Sequence, residues 1–330
     1  MDVLLQVRDE WLDFAGTGVS VMEICHRSQP FMDFAYRTDT AVRCVLAVPS
    51  NYHVLLLQGE AYLPFSELAM NLFHQKKTAD YIHTGLWSEP AANAARRYGQ
   101  VRIIACSYEA GFDRIPEINE SNINLDATYL HYTDNETEQG LQFSKPPVLS
   151  ISLVCDACSS LMSKPFDIWA HDLIYASAQK NMGTAGVTMV LLNPAILDKP
   201  LAGTLQVLDF SIQAKKQSML SPPSAFSWYV LGVTLEWIER VGEIDALYEI
   251  NQKKTQPLYE VIDKSNGFYT NGVWSDDRFI NNVLFYITEN NLDDLFVKEA
   301  QKNGFHGLKG HQSTRGLRAS RYSAVTLDAA

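Results

Sequence analysis

No apolar run in these 330 residues approaches the ~20 that an α-helix needs to cross a bilayer, so a helical membrane protein is not expected. Basic residues are also scarce, 27 Lys and Arg against 38 Asp and Glu, for a formal charge of −11. That leaves no surplus to neutralise phosphates, which argues against nucleic acid or an anionic membrane as a general partner. A few local Arg and His residues still suffice for small anions. The opening MDVLLQVRDEWLDF lacks both a basic leader and an apolar stretch of signal-peptide length. Cysteine is sparse: Cys25, Cys44, Cys106, Cys155 and Cys158 lie scattered in apolar segments and form no disulfide framework. A reducing cytoplasm is the expected compartment, where the sequons at Asn119 and Asn135 are chance matches. No P-loop, GxGxxG, HExxH or GxSxG occurs, so ATPase, dinucleotide, metalloprotease and hydrolase readings lose their usual support.

What is present is an ordinary globular composition, 46% apolar and 20% charged, in a chain long enough for two domains. Apolar spacing predicts a short helix over Val3–Leu12, stopped by Gly16 and Gly18, and another around 30–46. Strands are expected at His53–Leu57, Asp80–His83, Val101–Ala105, Ala127–His131, Val148–Val154, Leu173–Ala176 and Val187–Leu192. Helices are expected at 64–74, 88–98, 226–240 and 243–262. Such alternation predicts an α/β fold with a largely parallel sheet covered on both faces. Beyond about 260 the texture changes to a strand at Val283–Ile287, a helix at Leu292–Asn303 and a strand at Leu317–Tyr322. We therefore expect a large domain over 1–255 and a smaller α+β domain over 256–330.

One cation stands out. In ASAQKNMGTAGVTMVLL, residues 176–192, Lys180 sits in a turn softened by Gly183 and Gly186 between two strand-like runs. SAQK fits the S-x-x-K pattern of penicillin-binding enzymes, but the SDN and KTG elements of that family are missing. CDAC, at Cys155–Cys158, is a lone CxxC without the second pair or added histidines of a zinc site, so packed thiols are expected and no metal. Asp156 within it ends the apolar run VLSISLV, where open α/β sheets bind ligands. Lys180 and Asp156 thus lie at the ends of neighbouring strands. A confined lysine can form a Schiff base with an aldehyde, and a carboxylate beside it can hold a pyridinium N–H. On spacing alone the same two residues are better read as a surface lysine and a helix-capping aspartate.

Longer stretches settle on a family. ASAQKNMGTAGVTMVLL resembles the cofactor-lysine segment of phosphoserine aminotransferases, class V enzymes of the fold-type I pyridoxal-phosphate group. GTGVSVMEICHR, VPSNYHVLLLQG, TADYIHTGLW, YLHYTDNET, AFSWYVLG and GLKGHQSTRGLRAS resemble further segments of that family in order. The resemblance implies a large domain with a mostly parallel seven-stranded sheet, pyridoxal 5'-phosphate as cofactor, and a homodimer with sites at the subunit interface. It implies that Lys180 carries the cofactor and moves the proton, while Asp156 pairs with the pyridine nitrogen. Trp87 would stack on the ring, with Thr137, Gln179, Ala61, Tyr62 and Ser221 as further cofactor contacts. His26, Arg27 and His311 would face the substrate phosphate, and Arg318 would grip the α-carboxylate of each small anionic amino or keto acid. The implied reaction converts 3-phosphohydroxypyruvate and L-glutamate to O-phospho-L-serine and 2-oxoglutarate in serine biosynthesis, with a second service in pyridoxine biosynthesis.

The chain departs from that family where anions bind. At Gly59-Glu60-Ala61-Tyr62 an arginine is replaced by Tyr62, and Glu60 adds a negative charge. Ser221 and Pro222 replace an Asn-Thr pair supplied by the partner subunit, and Gln312 replaces an arginine after His311. Ser177 and Arg315 are the candidates to compensate. Both ends are short against the family. These departures keep two alternatives open: a pyridoxal-phosphate aminotransferase with a different acceptor, and an impaired paralogue serving as a structural or dimerisation partner.

Overall fold

The computed structural model describes residues 1–73, 77–289, 292–312 and 316–330. Arg315 therefore lies outside the described residues. The chain opens with helix α1 (Asp2–Asp9) and the longer α2 (Gln29–Val45). Pro30 starts α2, where its missing N–H costs nothing, and Phe31, Phe34, Ala35, Thr38 and Val42 bury one helical stripe. Strand and helix then alternate through β1 (His53–Gln58), α3 (Tyr62–Leu72), β2 (Thr78–His83), α4 (Ser88–Arg96) and β3 (Gln100–Cys106). After β4 (Leu130–Thr133) comes a small hairpin of β5 (Asn135–Glu136) and β6 (Leu141–Gln142). Next are β7 (Leu153–Asp156), β8 (Leu173–Ser177) and β9 (Val187–Leu192). Helices α5 (Phe210–Lys215), α6 (Ala225–Arg240) and α7 (Glu243–Asp263) lead to β10 (Tyr269–Thr270), β11 (Asn282–Ile287), α8 (Asp293–Lys302) and β12 (Leu317–Ser320).

Seven strands form one sheet in the order β1-β9-β8-β7-β4-β2-β3. Their pairings are parallel except those of β9, which runs antiparallel to both β1 and β8. A parallel sheet survives only with both faces covered, and here the pleat divides the apolar residues between two cores. Leu56, Ile174, Met189 and Leu191 face Phe31, Val42, Trp228 and Leu235 of α2 and α6. Leu55, Leu57, Tyr175 and Val190 face Phe65, Leu68, Ala91 and Ala95 of α3 and α4. The expected α/β architecture, mostly parallel and seven-stranded, is present.

The strand expected over Val148–Val154 begins only at Leu153, and Val148 is 94% exposed. Pro146 and Pro147 hold the chain off the sheet there by removing two ladder donors. The strand expected over Ala127–His131 is shifted to Leu130–Thr133. The short elements α5, β5, β6 and β10 carry too few residues for a periodic signal.

A second sheet, antiparallel in the order β10-β11-β12, packs Val283, Phe285 and Leu317 against Ile262 and Leu258 of α7 and Phe296 of α8. Residue 255, the expected domain boundary, falls inside α7. The neighbouring Lys254 is buried and donates from Nζ to the carbonyls of Arg321 (3.2 Å), Tyr322 (3.2 Å) and Val325 (3.1 Å).

Candidate active site

The C-terminal ends of β4, β7 and β8 open on a cavity of about 150 Å³, where a doubly covered sheet presents its ligands. Its lining brings together Asp156, Lys180, Gln179, Trp87, Thr137, Ala61 and Tyr62, all expected from the sequence, and adds Glu60, Thr133, Asn135, Cys158 and Ser159.

Lys180 follows β8 on a turn that other residues pin. Asn181 donates to the carbonyls of Ser159 (2.9 Å) and Leu161 (3.2 Å), and its Oδ1 accepts from Ser323 N (3.2 Å). Gly186 closes the turn at φ +106, and a Cβ there would lie 3.0 Å from Ser227 Oγ, so the turn requires glycine. Lys180 Nζ donates to Ser159 Oγ (3.0 Å), which shares a hydrogen bond with Thr137 Oγ1 (2.9 Å). The ammonium also lies 5.4 Å from the centre of the Tyr322 ring.

Asp156, 4% exposed, ends β7 with Oδ1 accepting from Cys158 N at 2.9 Å. Burial pushes its carboxyl above the ordinary carboxylate value, opposed by the Cys158 bonds, the Tyr175 hydroxyl and the Lys180 charge. Tyr175 Oη in turn meets His131 Nε2 at 2.9 Å. Burial drives His131 down to about 3, so this imidazole stays neutral. Burial also raises both the Cys155 and Cys158 thiols, which fits packed thiols and not a redox pair. Among the described residues no group of three or more His, Cys, Asp or Glu is placed to hold a metal.

Trp87 stands at the start of α4, its ring Nε1 shielded and without a partner among the described residues. Glu136, from the hairpin after β4, fixes it by accepting from Trp87 N (2.7 Å) and Ser88 N (2.8 Å). Burial raises the Glu136 carboxyl to about 7, against the pull of those hydrogen bonds. Gly85 permits this approach, since a Cβ would lie 2.4 Å from Gln139 Oε1.

At the far end of the cavity α3 begins without a side-chain cap. Among the described residues nothing accepts from the amides of Ala61 and Tyr62, so the helix terminus is open to an anion. Glu60 works against that: Oε1 accepts from Gly186 N at 2.7 Å, while Oε2 is shielded with no partner.

The remaining expected residues are not part of this cavity in the single chain. Ser221 is exposed, beside Pro222, whose carbonyl accepts from Gln58 Nε2. His26 and Arg27 precede α2, and His311 and Gln312 line a separate cleft with Asp293 and Asp294. Arg318, on β12, pairs with Glu138, next to Thr137. Ser177 is fully buried, bonded to Thr188 Oγ1 (3.1 Å). The sequence reading missed Ser159, Glu136, Asn181, Glu138 and Tyr322. Only Glu136 and Glu138 carried a signal, as two acids flanking Thr137 in NETE.

An amine, a buried carboxylate, a flat aromatic face and free helix amides in one cavity complement an aromatic aldehyde with a ring nitrogen and an anionic tail. The fold and this cavity are those of an aminotransferase: a family model described as "Aminotransferase class-V" matches residues 1–326. The phosphoserine aminotransferase of Acinetobacter baumannii (strain ACICU) is 42% identical over 327 residues, covering 99% of this chain and 91% of that protein. That of Nitrosomonas europaea is 41% identical over 336 residues, covering 99% and 91%. Among solved structures, the phosphoserine aminotransferase from Bacillus circulans subsp. alkalophilus superposes with a TM-score of 0.96 at 34% identity, covering 100% of this chain and 91% of that one. That of Trichomonas vaginalis, solved with PLP bound, gives 0.93 at 30% identity, covering 100% and 94%. The chain belongs to the phosphoserine aminotransferase family.

Proposed function

We propose that this chain transfers the amino group of L-glutamate to 3-phosphohydroxypyruvate, yielding O-phospho-L-serine and 2-oxoglutarate, with pyridoxal phosphate as cofactor. The observation that carries the reading is the meeting of Lys180 and Asp156 at adjacent strand ends in one cavity of a class-V aminotransferase chain. The residues present fit the cofactor. Trp87 offers a flat ring whose Nε1 is still unpartnered, Asp156 a buried acid, and Ala61 and Tyr62 open amides. Glu60 is the one group of opposing sense. When bound, the cofactor supplies an aldehyde and an electron-withdrawing ring.

The chain's own groups do the rest. Lys180 Nζ, oriented by Ser159 and Thr137, would accept the proton from the substrate α-carbon and return it two atoms along, across the transferred nitrogen, as a 1,3-shift requires. Asp156, oriented by the bond its Oδ1 accepts from Cys158 N, would accept the N–H of the ring nitrogen. Trp87 would fix the ring plane. Arg318 receives the substrate α-carboxylate.

The finer features of the reading concern assembly and place. We take the working form as a homodimer in the cytoplasm with the site at the subunit interface, in which a second copy brings Ser221 to the cavity. We take α7 as the joint between a large domain and a small one. Among the described residues no helix is long and apolar enough to cross a membrane.

Borohydride reduction of the protein with pyridoxal phosphate, followed by peptide mass mapping, tests the core of the reading. A reduced adduct on the Lys180 peptide, with phosphoserine formed from glutamate, is expected. An adduct elsewhere, or none at saturating cofactor, would overturn it. A second reading, an acceptor without phosphate, draws on the acidic neighbours Asp293 and Asp294 of His311 and Gln312. It fails if the phosphorylated keto acid is the better substrate.

A further inference from the structure

Arg318 does not wait unpaired for a substrate carboxylate, because the chain already sets one against it. Its side chain leaves β12 opposite Leu284 of β11 and is 23% exposed. One guanidinium nitrogen, Nη1, is paired with Oε2 of Glu138, whose side chain is 5% exposed. The guanidinium Nε is shielded and has no acceptor among the described residues. The planar fork that binds a carboxylate through two parallel hydrogen bonds is thus half engaged and half orphaned.

Glu138 is placed to matter for substrate. It follows Thr137, whose Oγ1 reaches Lys180 through Ser159. The small sheet closes over the same point, since Asn281 donates to the Ser159 carbonyl at 3.2 Å and Tyr322 lies over Lys180. A carboxylate arriving at Arg318 beside the cavity meets Glu138 as a like charge in a poorly solvated place. It must either displace Glu138 from Nη1 or share the guanidinium with it.

We propose that Glu138 is a built-in competitor for Arg318, a specificity-determining carboxylate that holds the arginine when no substrate is present and lowers its affinity for carboxylate substrates. This rests on the reading that Arg318 receives the substrate α-carboxylate. Glu138 also selects among substrates. Of two acids with equal contacts elsewhere, it disfavours the one presenting more negative charge near Arg318.

The experiment is a binding titration on the full-length protein with its cofactor, using 2-oxoglutarate and following tryptophan fluorescence or heat. Glu138→Gln keeps an acceptor for Nη1 and removes the charge. It is expected to bind 2-oxoglutarate about tenfold more tightly, and to lose part of the salt dependence of that binding. Glu138→Asp keeps the charge on a shorter arm and is expected to fall between the two, which guards against a variant that folds poorly. Arg318→Gln tests the underlying reading and is expected to abolish binding. If Arg318→Gln abolishes binding while Glu138→Gln weakens it or leaves it unchanged, Glu138 is only a prop for the arginine and the proposal falls. If Arg318→Gln binds normally, the role of Arg318 falls, and the proposal with it.

Discussion

At the scale of single residues, the cavity sets cations and anions against each other, and two substitutions read that balance. Lys180→Ala removes the only amine lining the cavity among the described residues. Turnover is expected to fall by roughly 10²–10⁴-fold or more, the range for losing a positioned proton carrier, and borohydride should fix no cofactor at this site. Retention of the adduct on the same peptide would refute the assignment. Glu60 makes the opposite case. Its Oε2 is shielded without a partner near the open amides of Ala61 and Tyr62. Glu60→Gln keeps the acceptor for Gly186 N and removes the charge, so pyridoxal phosphate should bind about tenfold more tightly. Pyridoxal, which lacks the phosphate, should bind as before. Equal gains for both aldehydes would show that Glu60 acts on the ring end of the cavity and not on the anion end.

At the scale of elements, the sequence announced those parts whose pattern is local. Strands β8 and β9 are runs of buried apolar residues, and both were readable with nearly their true bounds. Lys180 and Asp156 were legible because strand ends are where a buried sheet must expose polar chemistry. The groups that orient them were not. Ser159 and Tyr322 reach Lys180, and Asn181 anchors the turn beside it, only through tertiary contacts between elements far apart in the chain. Helix α3 shows a further feature that pattern alone conceals. Glu67 sits in its buried face, 1% exposed with Oε2 unpartnered, and burial alone raises its carboxyl to about 8. A carboxyl whose folded value lies above its unfolded one binds more protons in the fold. Its contribution to stability is therefore lost as pH rises from about 4.5 through about 8. Glu67→Gln should accordingly be near neutral at pH 5 and stabilising by about 2–4 kcal/mol at pH 8.5, measured by denaturant unfolding. A pH-independent difference between the two proteins would mean that Glu67 finds a partner or water that its burial does not suggest.

At the scale of the whole molecule, the small sheet and the large one are tied together beside the cavity through α7 and the end of the chain. Lys254 donates to three backbone carbonyls in the stretch from Arg321 to Val325, and the same stretch places Tyr322 over Lys180 and Ser323 on Asn181. Holding that stretch thus holds the lysine turn, so a substitution in α7 should be felt at the cavity. Burial, helped by the charge of Arg321, lowers the Lys254 amine to about 8. An amine whose folded value lies below its unfolded one binds fewer protons in the fold. Its penalty is complete below about pH 8 and is relieved as pH rises toward 10.5. Lys254→Met keeps the length of the side chain but leaves the Arg321 and Val325 carbonyls without their Lys254 donor, while Tyr322 O keeps the Val325 N–H, a loss of about 2–4 kcal/mol. The deficit relative to the parent protein should widen between pH 8 and 9.5, because only the parent gains from releasing the proton. Amide exchange in the segment 320–326 should quicken in the variant before exchange in β7 and β8 does. A deficit that is constant with pH, or a loss of protection that begins in the large sheet, would show that Lys254 packs the core without linking the C-terminal stretch to the turn that carries Lys180.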